Sequence, residues 1–208
     1  RSREPSMTTR AFFRAGAAPV TGSIFGGRTP LNVVLSLTNR CNLDCIYCNY
    51  NSRNRQELTT QQVFRLIDEM VDAGVGRIGF FGGEPLIRDD IVEIVAYAKR
   101  RKLFVSLITN GMLLSEKMDV LPHLDLILVS LDGPQEIHEM NRGKGTFNKA
   151  LEAIQLSQRW VPVWTITTFT KYNIGCVEYI VRLAHSMRFG ATFQFLYHNR
   201  HLGRNHEN

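Results

Sequence analysis

From Leu31 onward, short apolar runs rich in β-branched and aromatic residues alternate with stretches whose apolar positions recur at helical spacing. Leu31–Leu37, Arg77–Phe81, Phe104–Thr109, Leu124–Ser130, Val161–Thr168 and Ala191–Tyr197 read as six strands. Most are continuously apolar rather than strictly alternating, the pattern of parallel strands covered on both faces. Between them, Val63, Leu66, Ile67, Met70 and Val71 form one i, i+3, i+4, i+7, i+8 stripe. Ile91, Ile94, Val95 and Ala98 form a second stripe, and Val177, Ile180, Val181 and Ala184 a third. Another helix contains Leu151 and Ile154, and a shorter one is expected over Ser115 to Leu121. Thr59 with Gln62 and Asp90 with Glu93 fit capping boxes, and Thr146 fits an N-cap.

Six strands with five intervening helices predict an α/β fold with a parallel sheet and right-handed crossovers. Six units fall short of the eight that close a barrel of this type. The sheet is therefore either open and doubly wound or curled into an incomplete barrel, and periodicity does not choose. Both alternatives place chemistry at the carboxyl ends of the strands.

The chain has 208 residues and a mass of 23.7 kDa, the size of one domain. With 44% hydrophobic and 21% charged residues, whole-chain disorder is excluded. No stretch approaches the ~20 apolar residues of a membrane span and no charged-then-apolar leader opens the chain, so a cytoplasmic protein is expected. Residues 1–30 lack a sustained period and read as an arm before a core over residues 31–208. Arg1, Arg3, Arg10, Arg14 and Arg28 face a single acid there, Glu4, so much of the +6 net charge is N-terminal. A solvated basic tail is favoured over a nucleic-acid or membrane arm. A chain that begins with Arg rather than Met is expected to be a fragment or a processed product.

Cysteine usage changes this picture. Three of the four cysteines fall in Asn39-Arg40-Cys41-Asn42-Leu43-Asp44-Cys45-Ile46-Tyr47-Cys48, directly after the first strand. Four cysteines are too few for a disulfide scaffold of this size, and the grouping points to a metal. Closed zinc sites and ordinary iron–sulfur clusters take four protein ligands. The next Cys or His residues are His123 and Cys176, far along the chain. Three thiols imply an open coordination position; a zinc knuckle completed by a distant His, or a grouping of buried thiols, stand as alternatives.

C-x3-C-x2-C with Tyr47 just before the third Cys, after the first strand of a βα array, resembles the radical S-adenosylmethionine (radical SAM) superfamily. The resemblance spans Leu31 to Tyr197. It implies a partial (β/α)6 TIM-type barrel, open laterally, with Cys41, Cys45 and Cys48 on three irons of a 4Fe–4S cluster. The fourth iron is then chelated by the amino and carboxylate groups of SAM. Phe80-Phe81-Gly82-Gly83-Glu84-Pro85 resembles the family's GGE motif, which implies that Gly82, Gly83, Glu84 and Pro85 receive the methionine ammonium. An ammonium carries only donors and wants acceptors around it. Ser130-Leu131-Asp132-Gly133, then His138 and Arg142-Gly143, resembles the subgroup that modifies peptides or builds cofactors (SPASM/twitch-like). There Ser130 and Arg142 are implied to hold the SAM carboxylate, a good match for a guanidinium fork.

Other positions are less distinctive. Thr109-Asn110-Gly111 reads equally as a turn and as pocket lining. Thr165, Thr167 and Thr168 read as a half-polar barrel interior, and the resemblance suggests Thr167 or Thr168 for the SAM ribose. Phe193, Phe195 and Tyr197 share a strand face and read as core in preference to an adenine platform. Cys176 reads as an idle thiol, and His198, His201 and His206 as solvated. Relatives with extra clusters carry many cysteines in a C-terminal extension; none follows Cys176, so either an extension is missing or one cluster suffices.

The resemblance implies reductive cleavage of SAM to a 5′-deoxyadenosyl radical that abstracts hydrogen from a C–H bond of a peptide or biosynthetic intermediate. A lipid or small metabolite is the alternative substrate. A flavodoxin- or ferredoxin-type electron donor would suit the basic surface. The rival from another class is a zinc-binding nucleic-acid module, which leaves Gly82–Pro85 and Ser130 with Arg142 unexplained.

Overall fold

The computed structural model describes residues 32–50 and 56–195; the basic arm over residues 1–30, Tyr197 and the three C-terminal histidines lie outside them. Six strands run β1 (Asn32–Ser36), β2 (Arg77–Phe81), β3 (Phe104–Thr109), β4 (Leu126–Ser130), β5 (Val163–Phe169) and β6 (Gly190–Phe195). They pair in sequence order and all in parallel, Leu35 against Phe80 and Ile78 against Val105, for example. The sheet curls into an open half-barrel, which settles the choice that periodicity left open.

Among the described residues five α-helices lie between the strands: α1 (Thr60–Asp72), α2 (Ile91–Arg100), α3 (Gln135–Arg142), α4 (Thr146–Ser157) and α5 (Val177–Met187). One strand face, carrying Ile78, Phe80, Val105, Leu107, Ile127 and Val129, forms the core with the apolar stripes of these helices. The other face lines the half-barrel. Val34 is 52% and Trp164 45% exposed there, so the expectation that both faces are fully covered fails on this side. A barrel layers its helices outside only, and an incomplete one leaves its lumen open. Gly190 is required beside Trp164, because a Cβ would lie 2.7 Å from the indole ring.

The helix starts follow the sequence in part. Thr59 and Gln62 form the predicted capping box of α1. Asp90 precedes α2 but makes no cap; its carboxylate instead accepts from Arg88 Nη2 and Thr60 Oγ1, both at 2.6 Å. The N-cap of α4 is Gly145 at φ +79°, a left-handed position suited to glycine. Thr146 is the first helical residue, and its hydroxyl donates back to the Gly143 carbonyl at 2.6 Å. The helix expected over Ser115–Leu121 is two 3-10 segments, Leu114–Glu116 and Met118–His123. Pro122 has no N–H to extend an α-helical ladder there. Among the described residues no helix is long and apolar enough to cross a membrane.

Candidate active site at the carboxyl ends of the strands

The loop after β1 folds back over the sheet so that Cys41, Cys45 and Cys48 face one cavity of about 240 Å³. Its wall continues through Phe81 at the end of β2 with Gly82 and Gly83 after it, Ile108 and Thr109 on β3 with Asn110 after it, Ser130 on β4, Arg142, and Ile166, Thr168 and Gln194 on β5 and β6. All of these lie at or beyond the carboxyl halves of their strands. A larger open groove lies between residues 158–163 and Met187–Arg188, and its lining holds no acid and no thiol.

Gly82 and Gly83 exist because the cysteine loop crosses them. A Cβ on Gly82 would sit 2.5 Å from the Thr38 carbonyl oxygen, and one on Gly83 2.2 Å from that of Arg40. The N–H groups of Gly83 and Glu84 donate to those same carbonyls at 2.8 Å. The loop's far end is tied by Glu57, which accepts from Thr38 and Arg40. Buried Arg88 donates to the carbonyls of Leu37 and Leu58 at 3.0 and 3.1 Å.

Burial pushes the Cys45 thiol up to about 11, against the opposing pull of Arg142, and raises that of Cys41 as well. Thiolates here therefore need cations beside them. Among the described residues no three His, Cys, Asp or Glu side chains converge to hold one metal ion. The three thiols line one cavity together with Tyr47 and Arg142.

The centre of the polar network is Asp132, fully buried just past β4. Its Oδ2 accepts from Arg142 Nε at 2.7 Å and from Tyr47 Oη at 2.8 Å. Its Oδ1 accepts from Arg142 Nη2 and from the Thr168 N–H, both at 3.2 Å. Its own N–H donates to His138 Nδ1 at 3.1 Å, and its carbonyl accepts from Asn173 Nδ2 at 2.9 Å. Burial opposes the charge on Arg142, but the Asp132 carboxylate outweighs that and holds the guanidinium firmly protonated. Burial, with Arg142 nearby, pushes His138 down to about 4.

The structure brings Cys41, Cys45, Tyr47, Cys48, Gly82, Gly83, Ser130 and Arg142 onto one cavity wall and moves three expected residues off it. Glu84 is fully buried. Its Oε1 accepts from Leu86 N–H and Thr109 Oγ1 at 3.1 and 2.8 Å, and its Oε2 from Asn110 N–H at 2.7 Å. Burial raises this carboxyl to about 7 against those donors. It braces β2 to β3. Pro85 starts the buried turn Pro85–Ile87 behind it. Thr167 donates to the Leu131 carbonyl at 2.6 Å on the helix-facing side; strand alternation leaves only Thr168 of the three threonines on the lumen face. Phe193 stacks on Phe169 with centroids 5.4 Å apart, whereas Phe195 is 78% exposed and not core.

Asp132, Asn173 and Gln194 are site residues that sequence reasoning does not assign. Asp132 carries a signal, an acid at a strand end ten residues before an Arg on the next helix. The other two carry none.

A family model described as the radical SAM superfamily matches residues 35–184. Mycofactocin maturase MftC of Mycolicibacterium smegmatis is 33% identical over 174 residues, covering 79% of this chain and 44% of the relative. Fe-coproporphyrin III synthase of Methanosarcina barkeri is 35% identical over 159 residues, 73% of this chain and 40% of the relative. The chain thus spans less than half the length of these curated relatives. The crystal structure of Streptococcus suis SuiB bound to S-adenosylmethionine shares the fold, with a TM-score of 0.75 at 16% identity over 85% of this chain and 43% of that one. SuiB bound to precursor peptide SuiA gives 0.73 at 16% identity over 86% and 42%. With the family match running from β1 through the cysteine loop, the Asp132 network and most of α5, the chain belongs to the radical SAM superfamily.

Proposed function

We propose that this chain is the SAM-cleaving core of an enzyme that abstracts hydrogen from a peptide or a biosynthetic intermediate. The observation that carries the reading is the joint placement of three cysteines, Ser130 and Arg142 on one cavity wall at the strand ends. The superfamily's cofactors, a 4Fe–4S cluster and SAM, suit the donors present. Three thiols lining one cavity, Cys45 buried and Cys41 and Cys48 half-buried, can hold three irons and leave a fourth for another ligand. When bound, the cluster supplies one electron that splits SAM, and SAM supplies the 5′-deoxyadenosyl radical.

The protein's own part is binding, orientation and exclusion of water. Arg142 has five N–H donors and spends two on Asp132, leaving three for a carboxylate in the cavity. Asp132 fixes the direction of the fork. Tyr47 is held by its hydroxyl on the same carboxylate, with its ring beneath the guanidinium at 5.5 Å. Phe81, Ile108 and Ile166 give the lumen an apolar wall that shields a reactive intermediate from water. An acidic flavodoxin- or ferredoxin-type protein would deliver the electron, in keeping with the +6 net charge.

Two features support a peptide. β1 and β6 are the edges of the six-stranded sheet, and an edge can pair with an extended chain. The fold is also shared with SuiB bound to its precursor peptide. The identity to Fe-coproporphyrin III synthase favours a second reading, a tetrapyrrole intermediate. Titration with iron coproporphyrin III, read by its Soret band, separates the two: a saturable shift supports the tetrapyrrole. For the core activity, anaerobic reconstitution should load about four irons per chain. Dithionite with SAM should then release 5′-deoxyadenosine, and Cys45→Ala should abolish both. Cleavage retained in that variant overturns the reading.

A further inference from the structure

We infer that Asn110 is a positioning residue that donates an N–H to the sulfur of Cys41 and so raises the reduction potential of the cluster bound there. The inference rests on Cys41 being a cluster ligand. Asn110 Nδ2 lies 3.8 Å from Cys41 Sγ and 2.8 Å from Asn42 Oδ1, so its two protons are directed at the sulfur and at the neighbouring loop residue. Its Oδ1 accepts from the Met112 N–H at 2.9 Å, which fixes the amide with the nitrogen toward Cys41. Its backbone N–H donates to Glu84 Oε2 at 2.7 Å, so the buried carboxylate between β2 and β3 anchors the donor. The sulfur receives a second donor from the Leu43 N–H at 3.5 Å. Sequence alone leaves Thr109-Asn110-Gly111 evenly balanced between turn and pocket lining; these contacts give Asn110 a definite target.

The direction of the effect follows from charge. A cluster that takes up one electron gains negative charge spread over its sulfurs, and an N–H aimed at one of them stabilises the reduced form more than the oxidised. Asn110 is 8% exposed, so little water competes for its own amide, although Cys41 is only half-buried.

The test is a redox titration of reconstituted protein with dithionite, read by the EPR signal of the reduced cluster, in wild type, Asn110→Asp and Asn110→Ala. Asn110→Asp keeps the shape, removes the donor and adds charge. At the potential where half the wild-type cluster is reduced, the reduced-to-oxidised ratio should fall about tenfold, a shift of about 59 mV for one electron. Asn110→Ala should shift the same way by less. A merely structural role would lower iron content but leave the midpoint of the loaded fraction unmoved, and that result overturns the inference. Where neither variant loads, wild-type protein carrying side-chain 15N-asparagine decides: electron–nuclear double resonance should show 15N coupling to the reduced cluster, and its absence overturns the inference. Failure of the underlying assignment is read separately, as full iron loading and SAM cleavage in Cys41→Ala.

Discussion

Arg142, the last residue of α3, places its guanidinium edge-on against the carboxylate of Asp132 with two N–H···O contacts of 2.7 and 3.2 Å. Asp132 is fully buried and the Arg142 side chain is 9% exposed, so neither charge has water as an alternative partner. Removing one partner of such a pair strands the other, at a cost of about 3–5 kcal/mol. Asp132→Ala should therefore lower unfolding stability by that amount in urea. Asp132→Leu combined with Arg142→Met removes both charges and should recover most of the loss. SAM binding by calorimetry should nevertheless stay absent in the double variant. Recovery of SAM binding along with stability would show that the pair serves only the fold.

His138 gives a pH dependence with a definite sign. Its Nδ1 accepts the Asp132 N–H, which requires an unprotonated nitrogen. Burial, then Arg142, depress its pKa to about 4, below the ordinary value of 6.5. The unfolded chain takes up the proton first as pH falls, so this stabilisation is complete above about pH 6.5 and drains away toward pH 4. The whole effect is on the order of 3 kcal/mol, with about 2 kcal/mol lost by pH 5. Glu84, raised to about 7, acts in the opposite sense, losing stability as pH rises from 4.5 through 7. Comparing wild type with His138→Asn, which keeps an acceptor near the Nδ1 position, cancels the Glu84 contribution. The stability difference between the two should shrink on the wild-type side as pH falls from 7 to 5, measured by urea midpoints. A constant difference would sink the assignment.

The side of β5 on which each threonine lies separates structure from binding. Thr167 donates to the Leu131 carbonyl behind the sheet, whereas Thr168 faces the lumen and accepts from Gln194 Nε2 at 2.8 Å. Thr167→Val should cost about 1 kcal/mol of stability and leave SAM affinity unchanged. Thr168→Val should weaken SAM binding about tenfold, or roughly 1.4 kcal/mol, by calorimetry. The reverse pattern would mean that the lumen and helix faces of β5 have been exchanged.

That pair of residues also marks how far the sequence can be read. The ends of β2 and β3 match the apolar runs, and β4 and β5 differ by a residue or two at their ends, while the start of β1 and the end of β6 adjoin residues outside those described. That the cysteine loop, Gly82, Gly83 and Ser130 share one cavity is legible because each lies at or just past the end of a strand, and parallel strands collect their carboxyl ends; Arg142 reaches it from the end of the helix after β4. Which of the adjacent threonines points inward depends on register against β6, where Thr167 pairs with Phe193 and Thr168 with Gln194. No local pattern records that. Tyr47 and Asp132 are 85 positions apart, and their contact exists only once β1 and β4 share a sheet. The surroundings of Glu84 escape the sequence for a related reason: its motif gives its place after β2, but its three donors include two from β3 and the residue after it.

The two glycines beside the cysteine loop give the sharpest contrast with a glycine elsewhere. A Cβ on Gly83 would lie 2.2 Å from the Arg40 carbonyl oxygen, a backbone atom that cannot rotate away. Gly83→Ala must push the loop off β2 and break the 2.8 Å bonds from Gly83 N–H to Thr38 and from Glu84 N–H to Arg40. The core on the helix side of the sheet is untouched, so far-UV circular dichroism should match wild type. Iron loading after reconstitution should fall below about half, since three thiols must keep a common geometry to hold a cluster. Gly175, where an added Cβ would meet no atom within 4 Å and where φ is not positive, provides the control. Gly175→Ala should load iron normally and gain up to about 1 kcal/mol of stability from a less flexible unfolded chain. Equal iron loading in Gly83→Ala and Gly175→Ala would mean that the cysteine loop does not need its seat on β2, and the close approach would lose its functional reading.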